Sequence, residues 1–166
     1  MKCLVAYYSN TGVTRKAAES IARMLDADIE AIEETRPRPA LEVGPGKVGA
    51  WAVARAGIAA MLGLGSRLVA SRYKARDYDV VVIGTPIWVG SVTPPVRSYL
   101  RRHRMYFRSV AFFCTAGDPA TLRAFRQMRD IVRRDPVASI ALQADVVKSG
   151  AYEDKLAGFI DTIRRY

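Results

Sequence analysis

The sequence predicts an α/β protein, a parallel sheet covered by helices on both faces. Three observations carry this. Apolar runs of strand length alternate with helical patterns five times, with short connections. Residues 79–84, Asp-Val-Val-Val-Ile-Gly, are β-branched and apolar toward both faces, as a central parallel strand must be. Parallel strands also need crossovers, and crossovers wind right-handed, which puts helices on the sheet. At 166 residues, half of them hydrophobic, the chain can close one core without crosslinks. No repeat or linker divides it, so residues 1–166 are expected to form a single domain.

The elements follow in order. Residues 2–8 form the first apolar strand and end in the polar cluster Ser9-Asn10-Thr11-Gly12. Val13, Ala17, Ile21, Met24 and Leu25 then recur at spacings of three and four, a helix with one apolar face. Residues 27–33 alternate and suit a second, more exposed strand; Pro37, Pro39 and Pro45 break what comes next. Residues 47–64 are a glycine-punctuated helix with Trp51, Ala54, Ile58, Met61 and Leu62 on one face. With Arg55 in its middle and too few residues to cross a bilayer, it is expected to lie on the sheet. After the strand at 79–84, Pro94 and Pro95 open a helix to about His103. A fourth strand at 110–115, a helix at 120–134, a fifth strand near 137–142 and a helix at 153–165 complete the pattern.

Composition narrows the class. Two cysteines, Cys3 and Cys114, exclude a disulfide framework, and both fall inside strands, where they serve as small core hydrophobes. The N-terminus lacks the features of a signal peptide, and no apolar stretch is long enough for a transmembrane segment, so a cytoplasmic protein is expected. No cluster has metal-ligand spacing. The balance of 26 basic to 16 acidic side chains gives a net charge of +10. Such a surface attracts acidic partners, nucleic acid or anionic lipid, without naming one. Residues 97–134 hold ten arginines against Asp118 and Asp130 alone.

In an open parallel sheet the ligand lies beyond the carboxyl ends of the strands, so three loops matter. In the first, Ser9, Thr11 and Thr14 offer hydroxyls, Gly12 permits close backbone approach, and a helix N-terminus presents unpaired N–H groups, which together suit a phosphate. An ordinary capped turn has the same residues. The second loop, Thr85-Pro86-Ile87-Trp88-Val89-Gly90, holds a tryptophan suited to a planar aromatic ligand, unless it tucks back into the core. The third, Thr115-Ala116-Gly117-Asp118, offers small residues and free amides. The sequence lacks the carboxylates after strand one that a receiver domain needs. Neither cysteine has the arginine six positions on that a small phosphatase needs.

Together these loops resemble the flavodoxin family. The phosphate-loop pattern Thr/Ser-x-Thr-Gly-x-Thr is matched by Ser9-Asn10-Thr11-Gly12-Val13-Thr14. The third strand and flavin loop are matched by residues 78–88. The resemblance implies a flavodoxin-like three-layer α/β/α domain with a five-stranded parallel sheet in the order 2-1-3-4-5, and it implies FMN. By position, Ser9, Asn10, Thr11, Gly12, Val13 and Thr14 would hold the 5′-phosphate. Thr85, Pro86, Ile87, Trp88, Val89 and Gly90 would line one side of the isoalloxazine, and Thr115, Ala116, Gly117 and Asp118 its other edge.

No acid–base pair is then required, because the redox chemistry belongs to the cofactor. The resemblance implies an electron carrier between proteins, or alternatively a small FMN-dependent oxidoreductase acting on NAD(P)H, quinone or protoporphyrinogen. The family is usually acidic, whereas this chain is basic, with Arg15 and Lys16 beside the phosphate loop. Arg123, Arg126 and Arg133 follow helical spacing and suit an acidic redox partner or a phosphorylated reductant. Arg101, Arg102, His103, Arg104 and Arg108 are expected at the opposite end of the sheet. Nucleic-acid binding is not expected, because stacking aromatics are not interleaved with the charges.

Overall fold

The computed structural model describes residues 1–36, 65–116 and 121–166. The expected helix at 47–64 and the prolines before it lie outside these residues. The order is β1 (Cys3–Tyr7), α1 (Val13–Leu25), β2 (Asp28–Ala31), a 3₁₀ turn (Ala75–Asp77), β3 (Val80–Trp88) and β4 (Ser91–Val92). After these come α2 (Pro94–His103), β5 (Ser109–Ala116), α3 (Thr121–Val132), β6 (Ser139–Gln143), α4 (Ala144–Ser149) and α5 (Glu153–Arg164). The parallel strands lie in the order β2-β1-β3-β5-β6, with β4 paired to β3 as a hairpin arm. With that short arm set aside, this is the expected 2-1-3-4-5.

Successive strand residues point to opposite faces, so a strand buried on both sides must be apolar throughout. Cys3, Val5 and Tyr7 of β1 and Val80 and Val82 of β3 pack against α1 and α5. Leu4, Ala6, Val81 and Ile83 face the other core, with Val96, Tyr99 and Leu100 of α2 and Ala124 and Met128 of α3. Two cores therefore share one sheet, in three layers. Cys3 and Cys114 are free, buried thiols on β1 and β5, with β3 between them. Burial pushes the Cys114 thiol up to about 12, which suits the inert packing role expected of it.

Four elements depart from the sequence reading. The central strand continues four residues past Gly84, and Thr85–Trp88 then fold back on β4. The reversal is a two-residue turn with Val89 at φ 49° and Gly90 at φ 67°. Both central residues of such a hairpin turn take positive φ, which Gly90 accepts freely and β-branched Val89 at a cost of roughly 1–2 kcal/mol. The α3 helix stops at Val132, and Arg133 turns left-handed at φ 56°, so Arg133 and Arg134 leave the predicted helix. The α4 helix was not expected, because six residues are too few to show a period. β2 ends at Ala31, and the chain beyond it pairs antiparallel with residues 67–69, Val69 N–H donating to Glu33 O at 2.9 Å.

A buried carboxylate joins this outer edge to the core. Glu30 accepts from Tyr99 Oη at 3.0 Å and from the Arg72 and Tyr73 amides at 3.1 and 3.4 Å. Desolvation nevertheless pushes its carboxyl above the usual 4.5, with the three hydrogen bonds opposing. A raised carboxyl pKa in the fold favours the protonated form. Its stabilising contribution is therefore full below the unfolded value and declines as pH rises through the folded one. Urea midpoints measured across the acid range should show this decline, and Glu30→Gln should flatten it; an unchanged slope would refute the assignment.

Gly84 has a packing role. It sits opposite Phe113 of β5, and a Cβ built there would land within the Phe113 ring. Gly84→Ala should therefore destabilise by about 3 kcal/mol through overpacking, measured by chemical denaturation, and Phe113→Leu should recover part of that loss.

Candidate functional site

Because β1, β3 and β5 are adjacent and parallel, their carboxyl ends emerge side by side. Tyr8 N–H donates to Gly84 O at 3.1 Å, and Pro86 is registered against Thr115. The first two loops and the described start of the third thus meet along one crest. Gly117 and Asp118 of the third loop lie outside the described residues.

In the first loop, Ser9 Oγ accepts the Gly12 N–H at 3.1 Å, and Gly12 at φ 87° starts α1. Only glycine takes this φ without strain. Thr11 and Gly12 are exposed, and Ser9, Asn10 and Val13 are partly so. The first turn of α1 contains no acidic residue, so the positive end of its dipole is left uncompensated by carboxylate. Arg15 borders, with Ser9, Asn10, Glu33 and Glu34, a cleft of about 350 Å³ beside the loop. Lys16 does not point there. Its Nζ donates to Lys148 O at 3.0 Å, at the carboxyl end of α4, where a cation is favoured.

Thr14 is turned inward. Its Oγ1 lies 2.7 Å from Thr115 Oγ1, the two residues being 1% and 4% exposed. This pair links the first loop to the third across the sheet. It uses one hydroxyl proton of the two. Ala116 is buried beside it.

The second loop is the β3–β4 hairpin. Thr85 is fully buried, its Oγ1 donating to Pro86 O at 2.8 Å and lying 3.2 Å from Thr93 Oγ1. Pro86, Ile87, Trp88 and Gly90 are half-buried and Val89 is exposed. Gln127 of α3 holds the returning arm, accepting from Val92 N–H at 3.1 Å and donating to Ser91 Oγ at 3.4 Å. Arg97 of α2 donates to Val92 O at 3.2 Å.

Trp88 lies between the two readings of it, neither free nor in the core. Its ring meets Tyr8 edge-on, centroids 5.9 Å apart and planes at 79°. Tyr8, which the sequence reading left as a strand residue, is anchored by Oη donation to Glu34 Oε2 at 3.3 Å. The signal for it was a tyrosine placed directly before the polar loop.

Of the arginine stripe expected on one helix, Arg133 lies past the end of α3. Arg123 and Arg126 are exposed on α3. At the amino ends of the strands, Arg108 pairs with Asp79 at 3.3 Å. His103 is structural there, its ring 4.5 Å from that of Tyr99 and its Nε2 3.2 Å from Ser71 Oγ. Burial, aided by Arg102, pushes its pKa down. Among the described residues no His, Cys, Asp and Glu cluster could hold a metal, and no helix is long and apolar enough to cross a membrane.

The chemistry of the crest suits a phosphorylated, planar aromatic ligand. A helix N-terminus free of carboxylate and flanked by hydroxyls favours a dianion. An aromatic pair supplies an apolar wall a few residues away. The Thr14–Thr115 pair should matter to the scaffold itself. Thr14→Val strands a buried hydroxyl and should cost about 1–3 kcal/mol, whereas Thr14→Val with Thr115→Val should recover much of it in the same denaturation assay.

The fold agrees with comparisons to known proteins. No match is found among curated proteins. Among solved structures, a flavoprotein from Lactobacillus acidophilus NCFM in complex with FMN is similar, at 20% identity and TM-score 0.69 over 94% of this chain and 98% of that one. A Fusobacterium nucleatum flavodoxin bound to flavin mononucleotide gives 11% and 0.60, over 99% and 98%. An NADH:FMN oxidoreductase in its apo form gives 16% and 0.56, over 99% and 88%. At these identities the likeness is one of fold. A family model described as flavodoxin matches residues 2–163, and the chain belongs to the flavodoxin family.

Proposed function

We propose that residues 1–166 form one FMN-binding domain that carries electrons between protein partners. The observation that carries this reading is the crest. A hydroxyl-flanked helix N-terminus with no carboxylate in its first turn stands beside the Tyr8–Trp88 pair, at the ends of three adjacent parallel strands. Two of the similar structures were solved with FMN bound, which supports the choice of ligand. When bound, FMN supplies reversible one- and two-electron transfer, and the chain contributes binding and environment.

In this reading the hydroxyls of Ser9 and Thr11 and the amides of Asn10, Thr11, Val13 and Thr14 take the phosphate, while Gly12, its own amide donated to Ser9 Oγ, shapes the turn. Thr14 acts through its amide and by fixing the helix, since its hydroxyl faces Thr115. Trp88, propped by Tyr8, walls one side of the ring. Pro86, Ile87, Val89 and Gly90 exclude water beside it, Thr85 steadies the strand end from within, and Thr115, Ala116, Gly117 and Asp118 border the far edge. Exposed Leu122, Arg123 and Arg126 at the start of α3 offer an apolar side chain flanked by positive charge, suited to an acidic redox partner.

A second reading keeps the site and changes the role, to an FMN-dependent oxidoreductase using NAD(P)H or quinone. The exposed Arg123 and Arg126, near the crest, favour a phosphorylated reductant. The two readings separate in a steady-state assay. NAD(P)H oxidation with quinone by the purified protein alone would identify the enzyme, and reduction only through an added reductase would identify the carrier.

Recombinant protein should show paired flavin bands in the visible spectrum. Thr11→Val or Gly12→Asp should abolish them, the first by removing a phosphate donor and the second by adding strain and a negative charge. Trp88→Ala should weaken FMN binding by no more than about tenfold, since aromatic contact adds little beyond area burial. A colourless protein that takes up no FMN would overturn the reading.

A further inference from the structure

We propose that the end of the sheet opposite the crest is a docking surface for an anionic lipid bilayer, with Met105 and Tyr106 as its insertion tip. This surface stands apart from the flavin reading and does not rest on it.

The tip is the turn that follows α2. Met105 is 79% exposed, the most exposed large hydrophobic among the described residues, and Tyr106 beside it is 53% exposed. Their exposure is not fraying. Tyr106 N–H donates to His103 O at 2.8 Å, and Phe107 directly behind is buried. The His103 ring is packed against Tyr99. Two apolar side chains are thus held outward on a rooted backbone.

Positive charge surrounds them. Arg102, Arg104 and Arg108 are exposed in the same stretch, and no acidic residue occurs between positions 80 and 117. The Ser71–His103 contact brings up the facing segment with exposed Arg72, Lys74 and Arg76. The nearby carboxylates are Asp77, beside Arg76, and Asp79, which accepts the Lys2 N–H at 2.7 Å and pairs with Arg108. Between Tyr106 and Tyr73 runs a cleft of about 400 Å³ with Ala70 and Ala75 in its wall and Lys74 and Arg102 at its rim.

An apolar tip inside a cationic ring is the pattern of interfacial binding. Met and Tyr sink into the boundary of headgroups and chains, while arginines extend along it to the lipid phosphates. A purely acidic protein surface would match the arginines but leave Met105 facing charge. Stacking on single-stranded nucleic acid needs several exposed aromatics, and this edge offers Tyr106. Docking here would turn the carboxyl ends of the strands away from the bilayer and leave the crest open to soluble partners.

The test is flotation of the purified full chain with vesicles of phosphatidylcholine alone and with phosphatidylserine added. Binding should require the anionic lipid and fall steeply with added salt. Arg102→Gln with Arg104→Gln should weaken it by about thirtyfold. Met105→Ser with Tyr106→Ser, which leaves charge unchanged, should weaken it by about tenfold through lost insertion. Tyr106→Trp should give a blue-shifted emission on the vesicles. Circular dichroism checks that each variant is folded. Failure to float with anionic vesicles, or binding indifferent to the Met105/Tyr106 change, would overturn the proposal. Equal affinity for RNA or an acidic polypeptide would overturn it as well, by marking a general polyanion surface.

Discussion

The site depends on the parallel pairing of β1, β3 and β5. Pairing in register aligns their carboxyl ends, and burial on both faces prevents a strand from slipping, since a shift of one residue would exchange the two cores. Val80–Ile83 fix the middle of this arrangement, and Gly84 extends it by admitting the Phe113 ring where any side chain would collide. The buried Thr14–Thr115 contact then ties the start of α1 to the end of β5. Loop positions separated by about a hundred residues are thereby held together through a hydrophobic sheet and one polar clasp.

Much of this was legible in the sequence, for a physical reason. The segment at 79–84 had to be a central strand because its β-branched, two-sided apolar character has few other uses. The spacing of Ala17, Ile21 and Leu25 required a helix with one buried face, and all three are buried. The hairpin was less legible. Gly84 and Pro86 usually punctuate strands, so the run from Thr85 read as a loop. Its turn, Val89-Gly90, lacks the Asn-Gly signature that marks a two-residue reversal. The β4 arm is held less by its own two residues than by Gln127 and Arg97 from distant helices.

Side-chain direction was the least legible feature. Thr14 stands at the phosphate-loop spacing, yet its hydroxyl faces the sheet, because position 14 also falls on the buried side of α1. Tyr8 showed the reverse difficulty. As the last aromatic of an apolar run it read as core, and its link to both Trp88 and Glu34 follows from which strands are neighbours. Trp88 was caught between loop and core readings because both its neighbours and its exposure are set by the hairpin.

The two ends of the sheet carry different electrostatic tasks. At the carboxyl end, the charge that matters is the helix dipole, and the chain leaves it unopposed by omitting acids from the first turn of α1 while diverting Lys16 to the carbonyl of Lys148. In the proposed reading a dianion there is held mainly by amides and hydroxyls, with Arg15 as a cation at the border of the loop. At the amino end, side-chain charge accumulates instead, on exposed arginines with only local acidic partners. The sheet, some five to nine residues long in its main strands, separates the two fields by more than a Debye length at physiological salt, about 8 Å. Attraction at one end can then be strong without strongly perturbing the other.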